Sequence, residues 1–180
     1  MESLRGQLLI SSGGLFDPNF RHTVVLVGDH SEDGAVGVVL NRALDIGVAE
    51  AVPGLAEFAP HGARLHEGGP VDPALPVLLA ELVDPDAADV LVFDSVGFLV
   101  GDVEAATRRA IVRARVFAGY SGWGPGQLEG EIEEGSWVIE PARIDDVFTD
   151  NPDLLWSRVL HRKGPDFQRM AKMPFDPSMN

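Results

Sequence analysis

The sequence predicts an α+β fold in a single domain, and three observations carry that prediction. Short apolar, β-branched runs follow one another (Thr23–Val27, Ala35–Leu40, Val77–Val83, Val90–Phe93) instead of alternating strictly with helices. Only a few segments space their apolar residues for helices, chiefly Asp102–Ala114 and the stretch opened by Asn151-Pro152. No repeat, low-complexity block or dividing linker interrupts the 180 residues. A single domain of that length buries roughly 70% of its unfolded surface.

In chain order, Gly6–Ser11 reads as a first strand, broken by Gly13, Gly14, Asp17 and Pro18. Asp17 can cap a short turn there, with Pro18 in its first position. Thr23–Val27 and Ala35–Leu40 flank the polar tip Gly28–Gly34, which predicts a β-hairpin. A short helix is predicted near Ile46–Val52, stopped by Pro53-Gly54. Arg64–Glu67 is a brief strand ending in Gly68-Gly69-Pro70, and Asp84-Pro85-Asp86 joins the next two strands. In Asp102–Ala114, Val103, Ala106, Ala110 and Ile111 share a helical face. Arg108, Arg109 and Arg113 sit toward its end, where cations complement the helix dipole. Arg115–Tyr120 returns as a strand, Gln127–Glu134 forms a short helix ended by Gly135, and Ser136–Glu140 is a further strand. After Pro152, Leu155, Trp156, Val159 and Leu160 form one stripe closed by Gly164. The domain is placed at 1–165, with 166–180 as a mobile tail.

Phe117–Gln127 is the most unusual stretch. Glycines 119, 122, 124 and 126 permit positive φ or close backbone approach, and Pro125 fixes one φ. The predicted turn presents Tyr120 and Trp123, with a helix starting near Gln127. Two readings follow: a ligand platform walled by the rings, or a structural crossing in which glycines let two segments pass and the rings plug the core. The second is favoured. Neither a Walker A loop nor a dinucleotide fingerprint is present. Ser121 makes only half of a nucleophile elbow, since Trp123 stands where the second glycine belongs.

Gly119-Tyr120-Ser121-Gly122-Trp123-Gly124-Pro125-Gly126-Gln127-Leu128-Glu129, with Asp17-Pro18-Asn19-Phe20 and Gly68-Gly69-Pro70-Val71, resembles the YqgE/AlgH family of small bacterial proteins. The resemblance runs from about Gly6 to Gly164. It implies a bent or bifurcated mixed β-sheet curled toward a barrel with helices packed outside, and a role labelled transcriptional regulation.

Charge narrows that role. A net charge of −14, with Lys163 and Lys172 as the only lysines, disfavours direct nucleic-acid binding, which needs clustered cations to displace phosphate counterions. The modest cluster Arg108, Arg109, Arg113 and Arg115 leaves a local basic face open. No apolar run approaches the ~18–20 residues of a membrane span. No basic leader precedes an apolar core, and no cysteine exists for disulfide, thiol or zinc chemistry. The expectation is a cytoplasmic, non-enzymatic regulatory protein with no cofactor or metal, acting through an unknown protein partner or a small ligand. A direct DNA-binding regulator and an enzyme of unrecognised type are the alternatives.

The candidate site follows from strand ends. Asn41-Arg42 and the glycine-rich turn both terminate strands, so Asn41, Arg42, Gly69, Tyr120, Trp123 and Gln127 are expected to converge on one small polar cleft. Asp17, Pro18, Asn19, Phe20, Gly68, Pro70, Gly122, Gly124, Pro125 and Gly126 are expected to shape the turns around it. Histidines 22, 30, 61, 66 and 161 are scattered, and His66-Glu67 is a weak metal pair. Glu129, Glu131, Glu133 and Glu134 read as the solvated face of a helix.

Overall fold

Gln7–Ser11 (β1), Val24–Ser31 (β2) and Gly34–Val39 (β3) form an antiparallel set buried on both faces. Alternation sorts their side chains. Leu8, Ile10, Val24, Leu26 and Val38 enter one core, and Leu9, Val25, Val27, Ala35 and Val39 enter another. Strands covered on both sides read as continuous apolar runs, which makes these three legible in the sequence. The hairpin is tighter than predicted: β2 passes a bulge between Val27 and Asp29 and runs on to Ser31, leaving Glu32-Asp33 as the turn. The computed structural model describes residues 2–12 and 21–172. The predicted turn at Asp17, Pro18, Asn19 and Phe20 lies outside them.

Where one helix is expected over Ile46–Val52, the chain forms a strand, Ala43–Gly47 (β4), then a single turn, Val48–Ala51 (α1), and a 3₁₀ segment at Pro53–Phe58. β4 pairs with Arg64–Glu67 (β5). Val71–Leu82 (β6), Val90–Phe93 (β7) and Val96–Leu99 (β8) follow, with β8 between the other two.

The largest departure from the sequence reading lies at Asp102–Ala114. Helix covers only Ala105–Ala110 (α2), and the chain is extended from Ile111 to Trp123 (β9). Pairing with β6 decides it, through Leu82 opposite Ile111, Glu81 opposite Arg113 and Ala80 opposite Ala114. Ala114 and Val116 thereby join Leu78, Ala80 and Leu82 in a third core. A short isolated helix is marginal, whereas pairing satisfies the backbone and buries alternate side chains of a β-branched run.

β9 is where the sheet divides. Along one edge it carries β6; along the other it carries β5, in parallel, at Phe117 and Ala118, and then β3 at Ser121–Trp123. With Trp137–Pro141 as β10, the order is β10-β1-β2-β3-β9-β6-β8-β7, with β4 and β5 on a side branch, so the mixed sheet is bifurcated and open. It also curls, for Gly28 on β2 lies against the Phe98 ring of β8 and Gly6 against Phe93 of β7.

The remaining elements are Gln127–Glu133 (α3), Trp137–Pro141 (β10), Ile144–Val147 (α4), Pro152–Lys163 (α5) and Pro165–Gln168 (α6). α5 drives Leu155, Trp156, Val159 and Leu160 into the first core, and the Trp156 indole donates to Ser11 O at 2.9 Å. Phe167, Met170 and Ala171 pack on the same core, so the start of the predicted mobile tail is anchored. The rest of that tail lies outside the described residues.

Candidate functional site

The six residues expected in one cleft are not brought together. Trp123 pairs with Ala35 at one end of β3, and Asn41 lies six positions further along, about 20 Å at strand rise. Asn41 is a structural clamp: its Oδ1 accepts from Val24 N at 2.9 Å and its Nδ2 donates to His22 O at 2.7 Å. With Arg42, Asp153 and Trp156 it lines a shallow concavity of its own, and His22 stacks on Trp156 at 3.8 Å. Gln127 accepts from Gly124 N at 3.0 Å and so closes the turn before α3. Trp123 is buried in the second core, edge-on to Trp137. Of the six, Tyr120 alone lines an open apolar groove.

Gly68 and Gly69 carry the chain from one edge of β9 to the other, directly over Gly119–Ser121. A Cβ on Gly68 would lie 2.2 Å from Gly119 O, and one on Gly69 2.3 Å from the Tyr120 carbonyl. Gly119 itself, at φ +70°, would meet Val71 O at 2.7 Å. Ser121 is fully buried and donates its hydroxyl to Gly68 O at 3.1 Å, which fastens the crossing. Pro70, Gly122, Gly124, Pro125 and Gly126 flank it, and Gly126 enters α3 at φ +74°. The crossing reading of this stretch holds.

Two of the acidic residues read as solvated are structural. Glu131 Oε2 accepts from both indoles, Trp123 Nε1 at 2.7 Å and Trp137 Nε1 at 3.0 Å. Glu129 accepts from His30 Nε2, whose other ring nitrogen accepts from Leu4 N at 3.0 Å. That bond and the helix backbone hold the Glu129 carboxyl below the usual range. Patterns of charge show which face is acidic, not which carboxylates reach indoles on neighbouring strands. Glu131→Leu should cost about 2 kcal/mol in urea unfolding, since a charged acceptor leaves two indole donors. Glu133→Leu, at an exposed position, should be near neutral.

The apolar groove opens where the two sheet halves part. β6 slips register on β9, with Val71 opposite Tyr120 but Pro76 opposite Ala118, so Asp72–Leu75 loops out. That loop thrusts Leu75 to 47% exposure on the rim. Facing it stand Val36 and Val38 of β3, Phe98 of β8 with Val100 just past that strand, and the Tyr120 ring, around a space of about 450 Å³. Val36 and Val100 are also exposed. Asp29 at the rim accepts from Arg5 at 2.6 Å, a bond that lowers its pKa and gives its charge a partner. Sequence reasoning finds Tyr120 but not the groove, because a register slip has no motif.

A more polar cavity of about 420 Å³ lies near the other end of β9, lined by His66, Arg113, Arg115 and Asp150 among others. His66 is 5% exposed, and burial, aided by the Arg115 charge, holds its pKa at about 4 instead of 6.5. The unfolded chain therefore takes up a proton below about pH 6.5 that the folded chain refuses, so stability falls on acidification. The expected loss is about 2 kcal/mol between pH 7 and pH 5. His66→Met should abolish that slope in urea titrations run across the same window.

Comparison with known proteins fits this fold. Residues 8–168 match the AlgH-like family model. A UPF0301 protein of Streptomyces avermitilis is 39% identical over 191 residues, covering 100% of this chain and 97% of that one. A UPF0301 protein of Thermobifida fusca is 39% identical, covering 99% and 96%. The crystal structure of protein DIP2367 from Corynebacterium diphtheriae superposes with TM-score 0.86 at 25% identity, covering 96% of this chain and 93% of that one. The solution structure of AlgH from Pseudomonas aeruginosa gives 0.69 at 24%, covering 95% and 94%, a likeness of fold. The chain belongs to the AlgH-like family.

Proposed function

We propose that this protein is a non-enzymatic regulatory protein of the cytoplasm that binds a small, largely apolar molecule in the Tyr120 groove. The groove itself carries the reading. Its volume of about 450 Å³ falls within the range of small-molecule sites, and its walls are apolar with few polar groups. Val36 and Leu75 lie exposed at its mouth, which occupation would cover. Regulation through the bound molecule is favoured over a direct grip on DNA. Arg5, Arg64, Arg108, Arg113 and Arg162 all sit in ion pairs on a chain of net charge −14.

The test uses the neutral fluorophore N-phenyl-1-naphthylamine with wild type and with Leu75→Lys and Val36→Lys, both at exposed positions that spare the core. Saturable binding is expected, weakened about tenfold by either lysine, since each removes one to two kcal/mol of apolar contact. Equal binding by all three proteins would count against the groove. A gel shift that weakens steeply with salt would instead restore the DNA-binding alternative.

A further inference from the structure

We propose that the His66–Arg115 cavity is a second binding site, for a small oxyanion that carries its own hydroxyl. The unpartnered atoms in it specify that chemistry. His66 sits on β5, buried and edge-on to Phe117 at 5.8 Å. Its Nδ1 lies 3.2 Å from Arg64 O, and a carbonyl oxygen only accepts, so Nδ1 bears the proton. Nε2 is then a bare acceptor, and among the described residues it has no hydrogen-bond partner. A buried acceptor without a partner is costly, and a donor brought by a bound molecule would remove that cost.

Arg115 supplies the opposite half. It stands two residues from Phe117 on β9, on the same side of the strand. It is half-buried, and among the described residues its guanidinium makes one hydrogen bond, Nη1 to Val147 O at 3.0 Å. Among the described residues no carboxylate comes within ion-pair distance of it, and its pKa is lowered, first by burial. The other arginines here are already matched. Arg113 binds Glu81 at 2.6 Å and Asp145 at 3.4 Å and covers the Phe148 ring, and Arg64 binds Asp45 at 3.0 Å. Asp150, exposed at the mouth, is the acid whose charge acts on Arg115.

The cavity lining thus includes a cationic donor and a neutral acceptor, near enough for the Arg115 charge to act on His66. A plain anion satisfies the first and leaves the second empty. Monohydrogen phosphate or a 2-hydroxycarboxylate satisfies both, its O–H donating to His66 Nε2 and its charged oxygens accepting from Arg115. Asp150 opposes any anion by like charge. This site is separate from the Tyr120 groove, and either can fail while the other stands.

Thermal-shift titrations at neutral pH with paired probes provide the test: phosphate against sulfate, and lactate against propionate. In each pair only the first brings a hydroxyl. Wild type should bind the first member about tenfold more tightly, the worth of one hydrogen bond to an otherwise unpartnered buried acceptor. His66→Phe should erase that preference while keeping the weaker anion binding, and Arg115→Gln should remove binding of all four. Asp150→Asn, a surface change that cannot unsettle the core, should tighten all four about threefold. Equal affinity within each pair in wild type, unchanged binding in Arg115→Gln, or no effect of Asp150→Asn would each overturn the proposal.

Discussion

Gly69→Ala is expected to cost more than about 4 kcal/mol and to leave little folded protein at room temperature. The added Cβ would lie 2.3 Å from both the carbon and the oxygen of the Tyr120 carbonyl and 2.4 Å from Ser121 Oγ. Those atoms belong to the strand that every other part of the sheet depends on, so they cannot retreat without breaking the pairing of β9 with β3 and β6. The backbone adds its own penalty, since Gly69 stands at φ +154°. Gly130→Ala is the matched control. Gly130 lies within α3 with open space around it, so alanine should stabilise by about 0.5–1 kcal/mol. Urea unfolding of the two variants separates a glycine required by close approach from one that merely weakens a helix.

Arg162→Met is expected to cost about 3–5 kcal/mol. Arg162, in the last turn of α5, grips Asp146 of α4 with two parallel bonds of 2.8 Å, and the Asp146 side chain is 6% exposed. Methionine keeps most of the side-chain volume and removes the charge, leaving a buried carboxylate with Arg143 N as its remaining donor. The double variant Arg162→Met, Asp146→Leu should recover much of the loss, because it removes the stranded charge as well. Recovery in the double variant would show that the cost lies in desolvation of Asp146 and not in packing of Arg162.

Legibility in the sequence follows the range of the forces at work. β1, β2, β3 and α5 are read correctly because burial on fixed faces imprints a local pattern. Ile111–Ala114 misleads because it continues the apolar spacing of the helix that does form at Ala105–Ala110, and only pairing with the distant β6 makes it strand. β4, β8 and α4 are four or five residues long and carry too little pattern to register. The glycine corner is read as a crossing whose rings plug the core, and Trp123 is buried beside Glu131 while Tyr120 packs on the first core; what the pattern does not show is that Tyr120 also lines a groove. Asn41 and Arg42 do end a strand, but the wrong end of it for a shared cleft.

The groove is the claim on which the functional account rests, and amide chemical-shift mapping tests it most directly. On titration with N-phenyl-1-naphthylamine, the shifting amides should cluster at Gly37, Val77, Phe98 and Tyr120. Shifts confined to the Asn41–Arg42 concavity or to Arg108–Arg115, with these four unmoved, would contradict it.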